Sequence, residues 1–341
     1  MLSRSQKINL EKTTYYHCVT RCVRRAFLFG TDPLSNKNYD HRKEMIVERL
    51  KFLSKYFSID ICAYAIMSNH VHLVLHVDID KLKNLTDKEV LELSKVLYPT
   101  AMSQLEYLIL ENKLPKKIID IKIAELRERL GSISWFMRSL NEYLARVFNK
   151  EDKCTGRFWE GRFKSQALLD ERAILSAMAY VDLNPIRANM VDKIEDYEYT
   201  SIYERLNEVQ KDISNKVKKD NFLNDISEYN INKSSQPSWL MPLKNIIKQN
   251  ERSCLNITVS EYLTLVEDTG RFVRKDINKG YIKPNVQNFL TRIKINATKW
   301  VDLICNMENY FFRAVGSFQN LKNYDDKSRI FGGLKSKEFF I

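Results

Sequence analysis

Apolar and polar positions alternate early in the chain and then change rhythm. Residues 14–29, TYYHCVTRCVRRAFLF, are β-branched and aromatic with partial alternation, which predicts a strand. Residues 38–56 place Met45, Ile46, Leu50 and Leu53, with Phe57 just beyond, at helical spacing. Two further strands are expected at 58–69 and 70–77, with Ser68 and Asn69 as the turn or bulge between them.

From about 79 to 133 the pattern turns helical, with a periodicity carried by Val90, Leu91, Leu93, Val96 and Leu97, and reads as an insertion. An amphipathic helix is expected over 132–148, with Ser132 or Ser134 as its cap. A basic, aromatic loop and a short strand at 164–169 follow. Asp170 can cap the next helix, ERAILSAMAYVDL, which Pro185 should end, because proline disfavours helical backbone in the residue before it. The order strand, helix, strand, strand, helix, strand predicts an α+β class. The expected form is a ferredoxin-like antiparallel sheet with helices on one face, the helical insertion and a mainly helical C-terminal extension. The domain reading is a unit over 1–205, a linker over 206–239 and a basic helical region over 240–341. The linker is suggested by the Asn-, Lys- and Ser-rich stretch at 208–237.

Charge narrows the partners. The chain carries 55 Lys+Arg against 43 Asp+Glu, a net charge of +12, and residues 240–341 hold 17 of those basic and 10 of those acidic residues. Such a balance favours a polyanion, either nucleic acid or an anionic membrane surface. No apolar run of about 18 residues marks a membrane span, and the first residues lack the apolar stretch of a secretion signal, so a cytoplasmic, nucleoid-associated protein is expected. Six scattered cysteines without a CxxC pair read as small buried hydrophobes in a reducing setting. Gly-rich phosphate loops and GxSxG elbows are absent, which argues against nucleotide and serine hydrolysis.

Three constellations carry chemistry. His70 and His72 are two apart on a strand and share a face, with His76 further along it. They can be a pair of metal ligands or two histidines satisfied by hydrogen bonds. Tyr180 and Asn184 lie four apart near a helix end; they can be a nucleophile beside an amide ligand, or a core tyrosine and a helix-ending asparagine. In GRFWEGRFKS, Arg157, Arg162 and Lys164 alternate with Phe158, Trp159 and Phe163, the pattern by which single strands are stacked and neutralised. Trp159 can stack on a base or pack beneath the loop, and Arg21, Arg24 and Arg25 extend the basic surface.

Together, MSNHVHLVLHV, TGRFWEGRFKS and AYVDLNPIRANMV resemble the HUH-class single-tyrosine transposases, most closely the REP-associated tyrosine transposases, over about residues 13–205. The resemblance implies that His70, His72 and Asn184 bind Mg²⁺ or Mn²⁺. It also implies that Tyr180 attacks single-stranded or hairpin-bearing DNA to give a 5′-phosphotyrosine, in a monomer or homodimer. Tyr143, a rival nucleophile on the 132–148 helix, has Val147 and not an amide four residues on. Two other readings stand beside this one: a hairpin-binding regulator without catalysis, and a metallohydrolase that activates water. The insertion and the C-terminal extension depart from the minimal family domain.

Overall fold

The structure, a computed structural model, describes residues 8–23, 28–32, 36–111, 113–220, 236–244, 255–273, 284–324 and 333–340. Its centre is a five-stranded sheet. Strand β1 (Tyr15–Arg21) is followed by α1 (His41–Tyr56), β2 (Ile59–Ile66) and β3 (His70–Val77). Helices α2 (Ile79–Asn84), α3 (Asp87–Leu97), α4 (Pro99–Leu110) and α5 (Lys116–Leu130) form the insertion. After it come α6 (Ile133–Glu151), β4 (Lys164–Leu168), α7 (Glu171–Asp182), α8 (Asn184–Arg187) and α9 (Ser201–Asp220). The C-terminal region supplies α10 (Val259–Val273), α11 (Pro284–Arg292), α12 (Trp300–Tyr310), β5 (Ala314–Val315), α13 (Phe318–Tyr324) and α14 (Gly333–Phe339).

The strand order is β2-β3-β1-β4-β5. The first four strands are antiparallel and give the ferredoxin-like arrangement; β5 joins β4 in parallel. One sheet face carries Tyr16, Cys18, Thr20, Val71, Leu73 and Leu75 and is apolar because α1 and α6 cover it. Phe57, just after α1, meets Phe136 of α6 edge-on at 5.4 Å, and Asn141 of α6 donates to Thr20 Oγ1 at 3.1 Å. The opposite face carries His17, Val19, Arg21, His70, His72 and Gln166. Helix α7 covers that face, packing on β2, β3 and β4, and α12 packs on α7.

The caps explain where the helices start. Thr86 and Glu89 form a capping box at α3; Ser132 caps α6 and Asp170 caps α7 by accepting from Ala173 N at 3.0 Å. Helix α7 stops at Asp182, and Pro185 opens a new short turn, α8. The insertion builds a small core of its own from Val90, Met102, Ile123, Leu126 and Leu130.

The stretch expected to begin a linker at 206 is helical as far as Asp220. Its apolar Leu206, Val209 and Ile213 recur at helical spacing and pack on the main core, which outweighs the polar composition between them. The sheet and the C-terminal region share that core: Trp300 is fully buried, and its indole N–H donates to Thr269 Oγ1 at 2.8 Å. Cys18, Cys22 and Cys62 are buried in it as well, whereas Cys154 is exposed and Cys254 lies outside the described residues. No helix among the described residues is long and apolar enough to cross a membrane.

Candidate active site and nucleic-acid interface

The β1–β3 register makes the site. Val19 lies opposite His72 and Arg21 opposite His70, so His17, two residues along β1, falls diagonally beside His72 on the same face. The imidazoles of His17 and His72 stack with centroids 5.2 Å apart, and His70 meets His72 edge-on at 4.8 Å.

Hydrogen bonds assign the ring protons. Gln166 Nε2 donates to Phe311 O at 2.6 Å, which turns Gln166 Oε1 toward His17 Nδ1 at 3.4 Å. His17 Nδ1 is then the protonated nitrogen, and His17 Nε2 accepts from His72 Nδ1–H at 2.9 Å. The Nε2 of His72 is left with its lone pair. His70 Nδ1–H donates to Asn69 Oδ1 at 2.6 Å, which leaves the same atom unprotonated there. Burial holds all three imidazoles neutral: the His17 and His72 pKa values lie below the usual histidine range, and that of His70 is lowered to about 4, with Arg21 reinforcing the effect. Two neutral imidazoles with unprotonated Nε2 atoms and anchored Nδ1 atoms are the donor form that a divalent cation requires. Among the described residues no group of three or more His, Cys, Asp or Glu side chains is arranged to hold a metal ion.

Tyr180 stands over this cluster. Its ring makes edge contacts with His17 and His72, each at 5.8 Å between centroids, and it is 3% exposed. The Arg187 guanidinium lies 4.0 Å from the centre of the Tyr180 ring and donates to Cys305 O at 3.0 Å. Burial pushes the phenol up to about 12; Arg187 opposes that rise, and the Glu308 carboxylate of α12 adds to it. Asn184 is buried at the first position of α8. His76 sits apart, with Nδ1 2.9 Å from Asp60 Oδ2 and its ring stacked on Tyr15. Tyr143 belongs to α6 on the far side of the sheet, with the Arg49 guanidinium 4.3 Å from its ring centre.

The basic loop divides by depth. Arg157, Arg162 and Lys164 are exposed. Trp159 is 9% exposed: its indole N–H donates to Asn141 O at 2.8 Å and its ring packs on Phe29 and Phe158. Of its two expected roles, the structure shows packing beneath the loop. Gly156 turns that loop at φ +119°, which a side chain would oppose. Arg21 and the exposed Arg162 and Lys164 line a cleft of about 390 Å³ that reaches His17 and Glu308. Arg24 and Arg25 lie outside the described residues.

Sequence reasoning missed His17, Gln166, Arg187 and Glu308. Arg187 falls on the short α8 after the break at Leu183, and nothing in the local pattern returns it to Tyr180. The others depend on strand register and on the packing of a distant helix.

No protein-family model matches the chain, and no curated protein matches it. A solved structure of a REP-associated tyrosine transposase bound to a REP hairpin is similar, at 11% identity and a TM-score of 0.32. The match covers 65% of this chain and 91% of that one.

Proposed function

We propose that the protein is a metal-dependent, single-strand DNA endonuclease and strand-transferase that uses Tyr180 as nucleophile. The observation that carries this reading is the contact of the Tyr180 ring with the neutral, anchored His72, on a face also reached by three cationic side chains. His70, His72 and Asn184 would hold Mg²⁺ or Mn²⁺, which acts as a Lewis acid on a phosphate oxygen when bound.

Tyr180 Oη forms a bond to phosphorus as the bond to the 3′-oxygen breaks, giving a 5′-phosphotyrosine and a free 3′-OH. Glu308 would take the phenol proton and return it to the departing 3′-oxygen, so the proton count is unchanged. Arg187 favours the phenolate and offers charge to the phosphate. Because the phosphotyrosine retains the phosphodiester's free energy, a second 3′-OH can displace Tyr180 without ATP. Hairpin-bearing DNA is proposed as the substrate on the sequence resemblance; the REP-associated transposase similar to this chain is itself bound to a hairpin.

One observation favours a second reading, a hairpin-binding regulator. Tyr180 is buried and its pKa is pushed up to about 12, the state of a silent phenol. A single gel separates the two. Labelled hairpin DNA with single-stranded tails, incubated with the protein and Mn²⁺, should yield a covalent adduct that EDTA and Tyr180→Phe both abolish, while Tyr143→Phe leaves it intact. Binding without any adduct would select the regulator.

A further inference from the structure

The cleft that reaches His17 has a wall that residues 13–205 do not supply. Phe311 and Phe312 follow α12, and the backbone around them is fastened to β4: Phe311 O accepts from Gln166 Nε2 at 2.6 Å, and Arg313 O accepts from Ala167 N at 2.8 Å. Phe311 is buried, whereas Phe312, between the two anchors, is 73% exposed at the cleft. Arg21, Arg162 and Lys164 line the same cleft and outnumber its two carboxylates, Glu160 and Glu308. Its 390 Å³ lies near the lower end of the range for small-ligand sites, about 300–1,000 Å³, enough for a base with its sugar but not for a duplex.

A single exposed aromatic is ordinary on a protein surface. One held at both flanks, in a concave site with three cations, has the two features by which single strands are gripped: a ring for the base and positive charge for the phosphate. We infer that this cleft is a subsite for one unpaired nucleotide of the DNA strand, its base stacked on Phe312 and its phosphate met by Arg21, Arg162 and Lys164. The inference rests on the DNA-cleaving reading for the identity of the ligand. It adds that the C-terminal region takes part in holding the strand next to Tyr180.

The test separates the subsite from the chemistry. In a Tyr180→Phe background, affinity is measured by fluorescence anisotropy for a tailed hairpin DNA and for a series in which each tail nucleotide in turn is made abasic. Phe312→Ala should weaken binding to the intact DNA by about 5- to 150-fold, the usual range for loss of one stacked base, and Phe312→Trp should restore it. One abasic position should cost the parent a similar factor and cost the Phe312→Ala protein nothing. Thermal melting of the Phe312→Ala protein should match the parent, since the ring is at the surface. Equal affinity of parent and Phe312→Ala, or abasic penalties unchanged by the substitution, overturns the subsite. Wild-type protein that shows the Phe312 effect but forms no adduct with Mn²⁺ overturns the cleavage reading and supports the subsite. Failure of the parent to bind DNA at all overturns both.

Discussion

His17 Nε2 and His72 Nδ1 stand 2.9 Å apart across the β1–β3 pair, and this contact decides which nitrogen of His72 is left without a proton. His17 is therefore a positioning residue in the proposed mechanism. Removing it leaves the His72 ring free to rotate and to take either tautomer. His17→Ala should keep the fold and lower Mn²⁺ affinity by about 10- to 100-fold, the usual cost of losing a partner behind a metal ligand. Calorimetric titration with Mn²⁺ reads the loss directly; unchanged affinity would show that His72 is oriented by its packing alone.

Arg187 should matter to chemistry more than to binding. Its guanidinium lies against the Tyr180 ring and counters the rise of the phenol pKa. Arg187→Ala should slow adduct formation by at least about tenfold, within the range for removal of a transition-state donor. DNA affinity should fall far less. Arg187→Lys should rescue little, because an ammonium does not stack as a planar guanidinium does. Single-turnover rates at saturating DNA give the answer.

Buried Asp182 joins three helices. Its carboxylate accepts from Ser201 Oγ at 2.5 Å, Ile202 N at 3.0 Å and Tyr262 Oη at 2.6 Å. Asp182→Ala should cost about 3 kcal/mol or more, since it leaves buried donors unsatisfied. Asp182→Asn should be milder, because the Tyr262 hydroxyl can turn and accept. Burial raises the Asp182 pKa to about 6, above its ordinary value of 3.8. Its stabilising contribution is therefore complete below pH 3.8 and is lost as pH rises through about 6. Wild-type stability in urea, compared with that of Asp182→Asn between pH 4 and pH 7, should show this loss in the wild type only.

The GRFWEGRF loop and the first residue of β4, Lys164, should respond according to depth. Arg162→Ala and Lys164→Ala should each reduce the salt dependence of DNA binding by about one unit of log–log slope. Trp159→Ala should instead lower stability by about 3–5 kcal/mol, as expected for a buried aromatic. A melting temperature unchanged by Trp159→Ala would return that side chain to the DNA-contact set.

Much of this architecture is legible from local pattern. Period-two alternation places His70 and His72 on one face of β3, and the capping signals at Asp170 and Ser132 locate the helices on either side of β4. The tyrosine helix also reads correctly, because Pro185 punctuates it. The partners of these residues are hidden for a physical reason. His17 looks like an isolated histidine until register sets it beside His72, and register is a property of two strands. Glu308 lies on a helix whose sequence, WVDLICNMENY, reports only that one side is apolar. Trp159 is ambiguous for another reason: an aromatic between cations serves a base or a core equally well until its depth is known.

The pairing of Ala314 and Val315 with β4, together with Phe311 O on Gln166, sets an order of events during synthesis. Domains generally begin to fold as they leave the ribosome, from the N-terminal side. His17, His70, His72 and Tyr180 emerge long before Phe311, Glu308 and Phe312. A nascent chain can thus lay down its sheet while Gln166 still lacks the carbonyl that turns it toward His17, and while Tyr180 still lacks its carboxylate neighbour. Under the proposed function, an incomplete chain would lack the full surroundings of Tyr180. A ribosome stalled short of α12, or a message truncated there, would release a histidine-bearing sheet with an open β4 edge.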